Sequence, residues 1–274
     1  MYLVIDIGGT KTLIALFNKR GRIVKKFRFK TPVKKADFLG ILESSLIPFS
    51  HKYSKKIRVV SVAIPGIVTD NIAEKFGNRN WKNLDVEKRI KKLFNCPIYL
   101  ENDANLATIY ESSFHKGLSL YLTFSTGIGG GLAHQSILAR NSADVEPGHT
   151  IYIWNNLPTE WEDIASCAAI GKDYKCEATS VRGEKAYADI AYRVSIGLPE
   201  LIQKYHPDCI IIGGPLGKQF RHFKDQLRYN VRVLMPRTTT FPRIVAAQRP
   251  KESVIYGGYL FSKAIYKKLS QRGQ

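Results

Sequence analysis

The chain has 274 residues, 44% of them hydrophobic, with 42 Lys and Arg against 23 Asp and Glu, a net charge of +19. That length and composition support two ordinary domains with real cores and exclude a fibrous or disordered chain. No run approaches ~18 uninterrupted apolar residues, and Met1 leads straight into a strand, so neither a membrane span nor a secretion signal is expected.

The first apolar run, Leu3-Val4-Ile5-Asp6-Ile7, enters Gly8-Gly9-Thr10-Lys11, and a second run follows from Leu13 to Phe17. This is a strand, a tight turn in which the glycines permit positive φ, and a returning strand. Arg22 to Lys30 alternates apolar and basic residues as an exposed edge or third strand does. Phe38, Ile41, Leu42 and Leu46 then recur at helical spacing behind Asp37, an N-cap region, with Pro48 bending or ending the segment. Val59 to Ile64 reads as a buried strand closed by Pro65-Gly66, Asp85 to Phe94 as a basic helix and Pro97 to Leu100 as a strand, with a helix from Asn105.

From Ser119 the scheme repeats. Leu120 to Phe124 enters Ser125-Thr126-Gly127-Ile128-Gly129-Gly130-Gly131, and Leu132-Ala133 returns. A long irregular middle leads to a helix from about Ala186 to Tyr205, bent at Gly197 and Pro199. The strand Cys209 to Ile212 stops at Gly213-Gly214, where an α/β sheet offers its ligand face. Ser253 to Leu269 is a helix that crosses back to the first domain, giving an N-terminal α/β domain over 1–116, a C-terminal one over 117–254 and a returning helix at about 255–272.

Successive backbone N–H groups in the two glycine turns would form anion nests, with Thr10, Lys11, Ser125 and Thr126 adding donors. Neither turn is a Walker loop or a dinucleotide-binding turn, and one alone would be an ordinary hairpin; two at matching places point to phosphate. Leu100 to Asn105 places Asp103 where a strand ends and a helix begins, as a plain N-cap or as a base facing a ligand. The basic residues fall in scattered pairs such as Lys25-Lys26 and Lys91-Lys92, a solvated surface rather than a specific nucleic-acid stripe. Cys96, Cys167, Cys176 and Cys209 lack paired spacing and read as reduced thiols in a cytoplasm.

Asp6-Ile-Gly-Gly-Thr-Lys11, Ala63-Ile-Pro-Gly66, Asn78-Arg-Asn-Trp81, Glu101-Asn-Asp-Ala-Asn105, Ser125-Thr-Gly-Ile-Gly-Gly-Gly131 and Glu146-Pro-Gly-His149 stand in the order seen in the ROK (repressor, open reading frame, kinase) family. The resemblance runs from residue 3 to Gly214 and weakly onward. It implies an α/β, duplicated actin-like ATPase (ribonuclease H-like) fold, two α/β domains with a cleft between them, and ATP- and Mg²⁺-dependent phosphorylation of a hexose, with glucose foremost. On that resemblance Asp103 is the catalytic base, and Asn78, Asn102, Glu146, His149 and Glu162 bind sugar hydroxyls together with Asp103. Asp6 positions Mg²⁺ and phosphate, and Gly8, Gly9, Thr10, Lys11, Ser125, Thr126, Gly127, Gly213 and Gly214 form the nucleotide loops.

Family glucokinases follow this histidine with three closely spaced cysteines that hold a structural zinc. Thr150 to Ser166 contains no cysteine, so no zinc is expected, and packing by Tyr152, Trp154 and Trp161 is left to hold the loop. Zinc-free members include users of inorganic polyphosphate, a donor that a charge of +19 would suit. Other members are sugar-sensing repressors with a DNA-binding domain ahead of the fold; a first strand at residue 2 or 3 leaves no room for one. Dimers are common in the family, and nothing in these residues independently shows a homodimer.

Overall fold

The computed structural model describes residues 1–69, 71–77, 79–236 and 238–272. They form two compact units, one of Met1–Ala107 with the stretch from Val254, the other of Thr108–Ser253.

The first unit opens with β1 (Tyr2–Ile7), β2 (Lys11–Phe17) and β3 (Ile23–Lys30), then α1 (Lys35–Tyr53) and β4 (Val59–Ile64). A small antiparallel sheet, β5 (Val68–Thr69), β6 (Ile72–Phe76) and β7 (Arg79–Leu84), precedes α2 (Val86–Lys91), β8 (Ile98–Asn102) and α3 (Asp103–Ser112). The main sheet has the order β3-β2-β1-β4-β8, antiparallel through the opening hairpins and parallel from β1 onward. Alternate residues of β1 serve two cores: Leu3, Ile5 and Ile7 join Phe38, Leu42, Leu46 and Phe49 of α1, while Tyr2 and Val4 face the other way. Burial on both faces explains an apolar run without strict polar alternation.

The second unit begins with β9 (Leu118–Phe124), β10 (Ile128–His134) and β11 (Ile137–Leu138). The hairpin β12 (Ile151–Trp154) and β13 (Leu157–Glu160) follows, then α4 (Trp161–Ala165), α5 (Cys167–Asp173), α6 (Glu184–Ser195) and α7 (Leu198–Tyr205). After β14 (Cys209–Gly213) come α8 (Gly214–Gly217), α9 (Phe220–Leu234) and β15 (Arg243–Ala246). Its main sheet has the order β11-β10-β9-β14-β15, with the same antiparallel hairpins and parallel flank as the first.

The last helix, α10 (Ser253–Arg272), covers the second face of the first unit's sheet: Ile255 and Tyr259 pack with Tyr2, Val4, Phe17 and Val59. Gly257 and Gly258 permit that approach, since a Cβ on Gly258 would stand 2.5 Å from Val4 Cγ1 and one on Gly257 would enter the Leu106 carbonyl. A glycine inside a helix costs about 1 kcal/mol against alanine, and close packing offsets it.

Several elements differ from the sequence reading. Pro48 lies inside α1 and does not end it, and Asp37 sits in the first turn behind Lys34, whose side chain makes no cap. The segment 186–205 is two helices, because Gly197 precedes a new start at Leu198 with proline in its first turn, where its missing N–H costs nothing. The helix expected from Asn105 begins at Asp103. Among the described residues no helix is long and apolar enough to cross a membrane.

Candidate functional site

In the first unit the parallel strands bring their carboxyl ends level: Asp6 pairs with Ala63, and Ala63 with Glu101. One residue further, Ile64 pairs with Asn102, from which the chain turns into α3. Asn102 does the capping. Its Oδ1 accepts the Asn105 N–H at 3.1 Å, and its Nδ2 donates to the Gly66 carbonyl at 2.9 Å. Glu101 Oε1 ties the same turn by accepting from Asn102 N at 2.9 Å and Asn105 Nδ2 at 3.0 Å. Asp103 therefore stands at the first helical residue while its neighbour satisfies the helix end.

Asp103 bears electrostatically on Asp6. Removal from water, then repulsion from Asp103, pushes the Asp6 carboxyl up to about 7, with Lys11 pulling the other way. The adjoining loop is closed by Gly8 N–H on the Lys11 carbonyl at 3.1 Å, and Thr31 Oγ1 donates to the Gly8 carbonyl at 2.8 Å. The expected positive φ is absent here, because the left-handed glycines are Gly21, Gly66, Gly77, Gly117, Gly183 and Gly214. Gly8 is required instead for closeness: a Cβ there would stand 2.9 Å from Lys11 O, whereas Gly9 has nothing within 4 Å.

The second unit's loop is built differently. Ser125 N–H donates to Gly127 O at 2.9 Å, and Cys167 N–H, at the start of α5, donates to Ser125 O at 2.8 Å. A Cβ on Gly127 would run into the Glu162 carboxylate, and one on Gly148 would lie 2.8 Å from Glu162 Oε2. Glu162 thus rests on two glycines, with its Oε2 accepting the Ile128 N–H at 3.3 Å. Gly213-Gly214 ends the neighbouring strand beside this loop, Gly214 in the left-handed region at φ 70° and too near Phe124 O for a side chain.

Close to Glu162 stands His149, whose Nδ1 lies 3.0 Å from Glu160 Oε2. This hydrogen bond, with the charges of Glu162, Glu160 and Glu146, raises the histidine's affinity for a proton against the opposing effect of burial. Ligand-type atoms of His149, Glu160 and Glu162 lie within 4.8 Å of one another, a spacing that one cation could bridge. The hairpin carrying Glu160 is pinned by Trp161, fully buried with its Nε1 donating to Arg193 O at 3.0 Å, and by Tyr152, whose hydroxyl donates to Glu200 at 2.7 Å. Trp154 packs on Tyr192 and under the Arg193 guanidinium.

The structure thus gathers Asp6, Lys11 and Asp103 at one edge of the first unit, and Glu146, His149, Glu162, Ser125 to Gly127 and Gly213-Gly214 within the second. Asn78 lies outside the described residues. Glu101, Asn105 and Glu160 were not singled out from the sequence. Glu160 could have been found from Asn155-Asn156, a two-residue turn that fixes which residues of the hairpin face each other.

Known proteins resemble this chain in sequence and in fold. A fructokinase from Lactococcus lactis subsp. cremoris is 26% identical over 237 residues, covering 78% of this chain and 78% of the fructokinase. A xylose repressor from Bacillus spizizenii is 25% identical over 181 residues, covering 56% of this chain and 47% of the repressor. The crystal structure of a ROK family glucokinase from Streptomyces griseus, in complex with glucose and AMPPNP, superposes with a TM-score of 0.77 at 20% identity, covering 96% of this chain and 99% of that one. The duplicated sheets are those of the actin-like ATPase fold. With the ROK family model matching residues 2–264, from the first strand into the last helix, this chain belongs to the ROK family.

Proposed function

We propose that the chain is a sugar kinase that transfers the γ-phosphate of ATP to a hexose hydroxyl, the 6-hydroxyl of glucose. The observation that carries this reading is the Asp6–Asp103 pair where two strands of one sheet in a ROK chain end: Asp103 opens α3 next to Asn102, and its charge crowds Asp6. Phosphoryl transfer to an alcohol needs a carboxylate that accepts the hydroxyl proton and groups that hold the phosphates. Asp103 takes that proton as the sugar oxygen bonds to the γ-phosphorus and the bond to the bridging oxygen breaks, releasing ADP.

A divalent cation fits the first unit's edge, since hard oxygen ligands of like charge are relieved by it, and Asp6 would hold Mg²⁺ there. When bound, the ion neutralises charge on the phosphate oxygens. Gly8 to Lys11, Ser125 to Gly127 and Gly213-Gly214 supply N–H and hydroxyl donors to the nucleotide. Asn78, Asn102, Glu146, His149 and Glu162 hydrogen-bond sugar hydroxyls, and a sugar leaving them unpaired is rejected. The hairpin's own turn and aromatic anchors support a loop held without structural zinc.

A coupled assay of the purified protein with Mg²⁺, a panel of hexoses and amino sugars, and ATP or polyphosphate tests this. Turnover of glucose with ATP is expected. Preference for polyphosphate would change the donor and give the charge of +19 a use. Sugar binding without turnover by either donor would favour the sensor reading, to which the likeness to the xylose repressor points.

A further inference from the structure

The hairpin that follows His149 carries a carboxylate to which the sugar-kinase reading gives no role. Asn155 and Asn156 both adopt the left-handed conformation, with φ of 49° and 64°. Asparagine tolerates that region, and a two-residue turn of this kind matches the twist of the strands it joins. The register follows: Trp154 faces Leu157 and Ile151 faces Glu160. Beyond the ladder, Trp161 N–H donates to Thr150 O at 2.9 Å, and its buried indole is tied to Arg193 O. Glu160 is therefore held as the last paired residue of a locked hairpin, directly before a buried anchor.

From there it reaches the His149 ring with Oε2 at 3.0 Å from Nδ1. The Oε2 of Glu162 is engaged by the Ile128 N–H and lies against Gly127 and Gly148. A neutral imidazole has two tautomers, and the partner of one nitrogen decides which atom the other presents. We propose that Glu160 is a positioning residue: it keeps the proton on Nδ1 of His149 and orients the ring, so that Nε2 is the atom offered to a sugar hydroxyl. This rests on the sugar-kinase reading. The groups facing the ring are Glu146 on its own turn, Glu160 on β13 and Glu162 on α4, all carboxylates, so Nδ1 keeps its proton whether the ring is neutral or charged. A neutral ring then accepts at Nε2 and a charged one donates.

The test is nitrogen-15 NMR of His149 in the full chain, assigned with His149→Gln, together with steady-state kinetics for glucose and ATP. Glu160→Gln keeps an oxygen acceptor and Glu160→Ala removes it. In the wild type the neutral ring carries its proton on Nδ1. In Glu160→Ala the ring becomes a mixture of tautomers, the glucose KM rises about 10-fold and kcat stays within about 2-fold. Glu160→Gln restores the tautomer and most of the KM, and adding Glu160→Ala to His149→Gln raises KM no further. An unchanged tautomer in Glu160→Ala, or KM penalties that add, would overturn the proposal. So would displacement of the Nδ1 proton by Zn²⁺ added to chelator-treated wild type, because the ring would then be a metal's to orient. If no variant turns over sugar, the kinase reading falls while the tautomer measurement still decides the role of Glu160.

Discussion

The two main sheets share a connection pattern and part company at the end where their loops stand. In the first unit the strand entering the glycine loop carries Asp6 level with Ala63; in the second, Thr123 stands level with Gly213. One edge is charged, with Asp103 at the start of the next helix, and the other is small and neutral. The loops differ in their backing as well. The first is a hairpin tip held by its own turn and by Thr31, whereas the second is pressed from behind by Glu162 and α5. The two sheets thus differ by a few residues at strand ends, which on the proposed sugar-kinase reading serve proton and cation chemistry at one edge and close approach of backbone to ligand at the other.

The largest expected effect breaks the second edge alone. Trp161 is fully buried against Phe124 and Gly197, and it anchors the hairpin, so Trp161→Ala should cost about 3–5 kcal/mol in urea unfolding. A loss below about 1 kcal/mol would mean that the hairpin is held elsewhere. Next comes the first edge. Asp103→Ala should lower kcat by at least ~10²-fold. Because Asn102 Oδ1 accepts the Asn105 N–H, that cap is left in place by the substitution. Unchanged turnover would remove Asp103 from the mechanism and leave the two edges chemically alike.

A smaller effect separates the two loops. Gly127→Ala drives a methyl into the Glu162 carboxylate, while Gly9→Ala meets nothing within 4 Å. The first should destabilise by roughly 1–3 kcal/mol and weaken sugar binding, and the second should leave unfolding within about 1 kcal/mol. Equal costs, read from denaturant midpoints, would mean that the loops are backed alike.

The same contrast explains what the sequence could and could not disclose. Strands such as β1, β4 and β14 are legible because both faces are buried and their residues are nearly all apolar, with Asp6 and Ser61 the polar exceptions. The repeat of strand, glycine loop and returning strand was legible for the same reason. The role of the glycines was misread: Gly8 and Gly127 answer to neighbours brought close by tertiary packing, Lys11 O and Glu162, and not to local φ. The three-stranded sheet β5 to β7 went unseen because strands of two to six residues give too few alternations to read. At the site, Asp103 could be weighed from its place at a strand end, with an N-cap and a base both open, whereas Asp6 could be chosen only on the resemblance to the ROK family. The exchange of duties between Asn102 and Asp103 could not, since either residue type caps a helix. Glu160 stays hidden in the sequence because its partner is set by the register of a hairpin whose short strands give no alternation to read.

That hairpin also gives the most delicate prediction. Hydrogen bonding to Glu160 and the surrounding carboxylates raise the His149 pKa above the ordinary 6.5, so folding favours the protonated ring. The stability gained is fully present below pH 6.5 and is lost as pH rises through the folded value. The ring and Glu160 are about half exposed, so water screens the pair and the gain is small. The wild type should therefore exceed Glu160→Gln in unfolding free energy on the acid side, with the two curves converging as the ring deprotonates. Following the His149 resonance against pH gives the folded midpoint directly, and the substitution should move it down toward the ordinary value. A difference that grew with pH would reverse the sign: Glu160 would then favour the neutral ring, and the charged contact would have to be made by Glu146 or Glu162 instead.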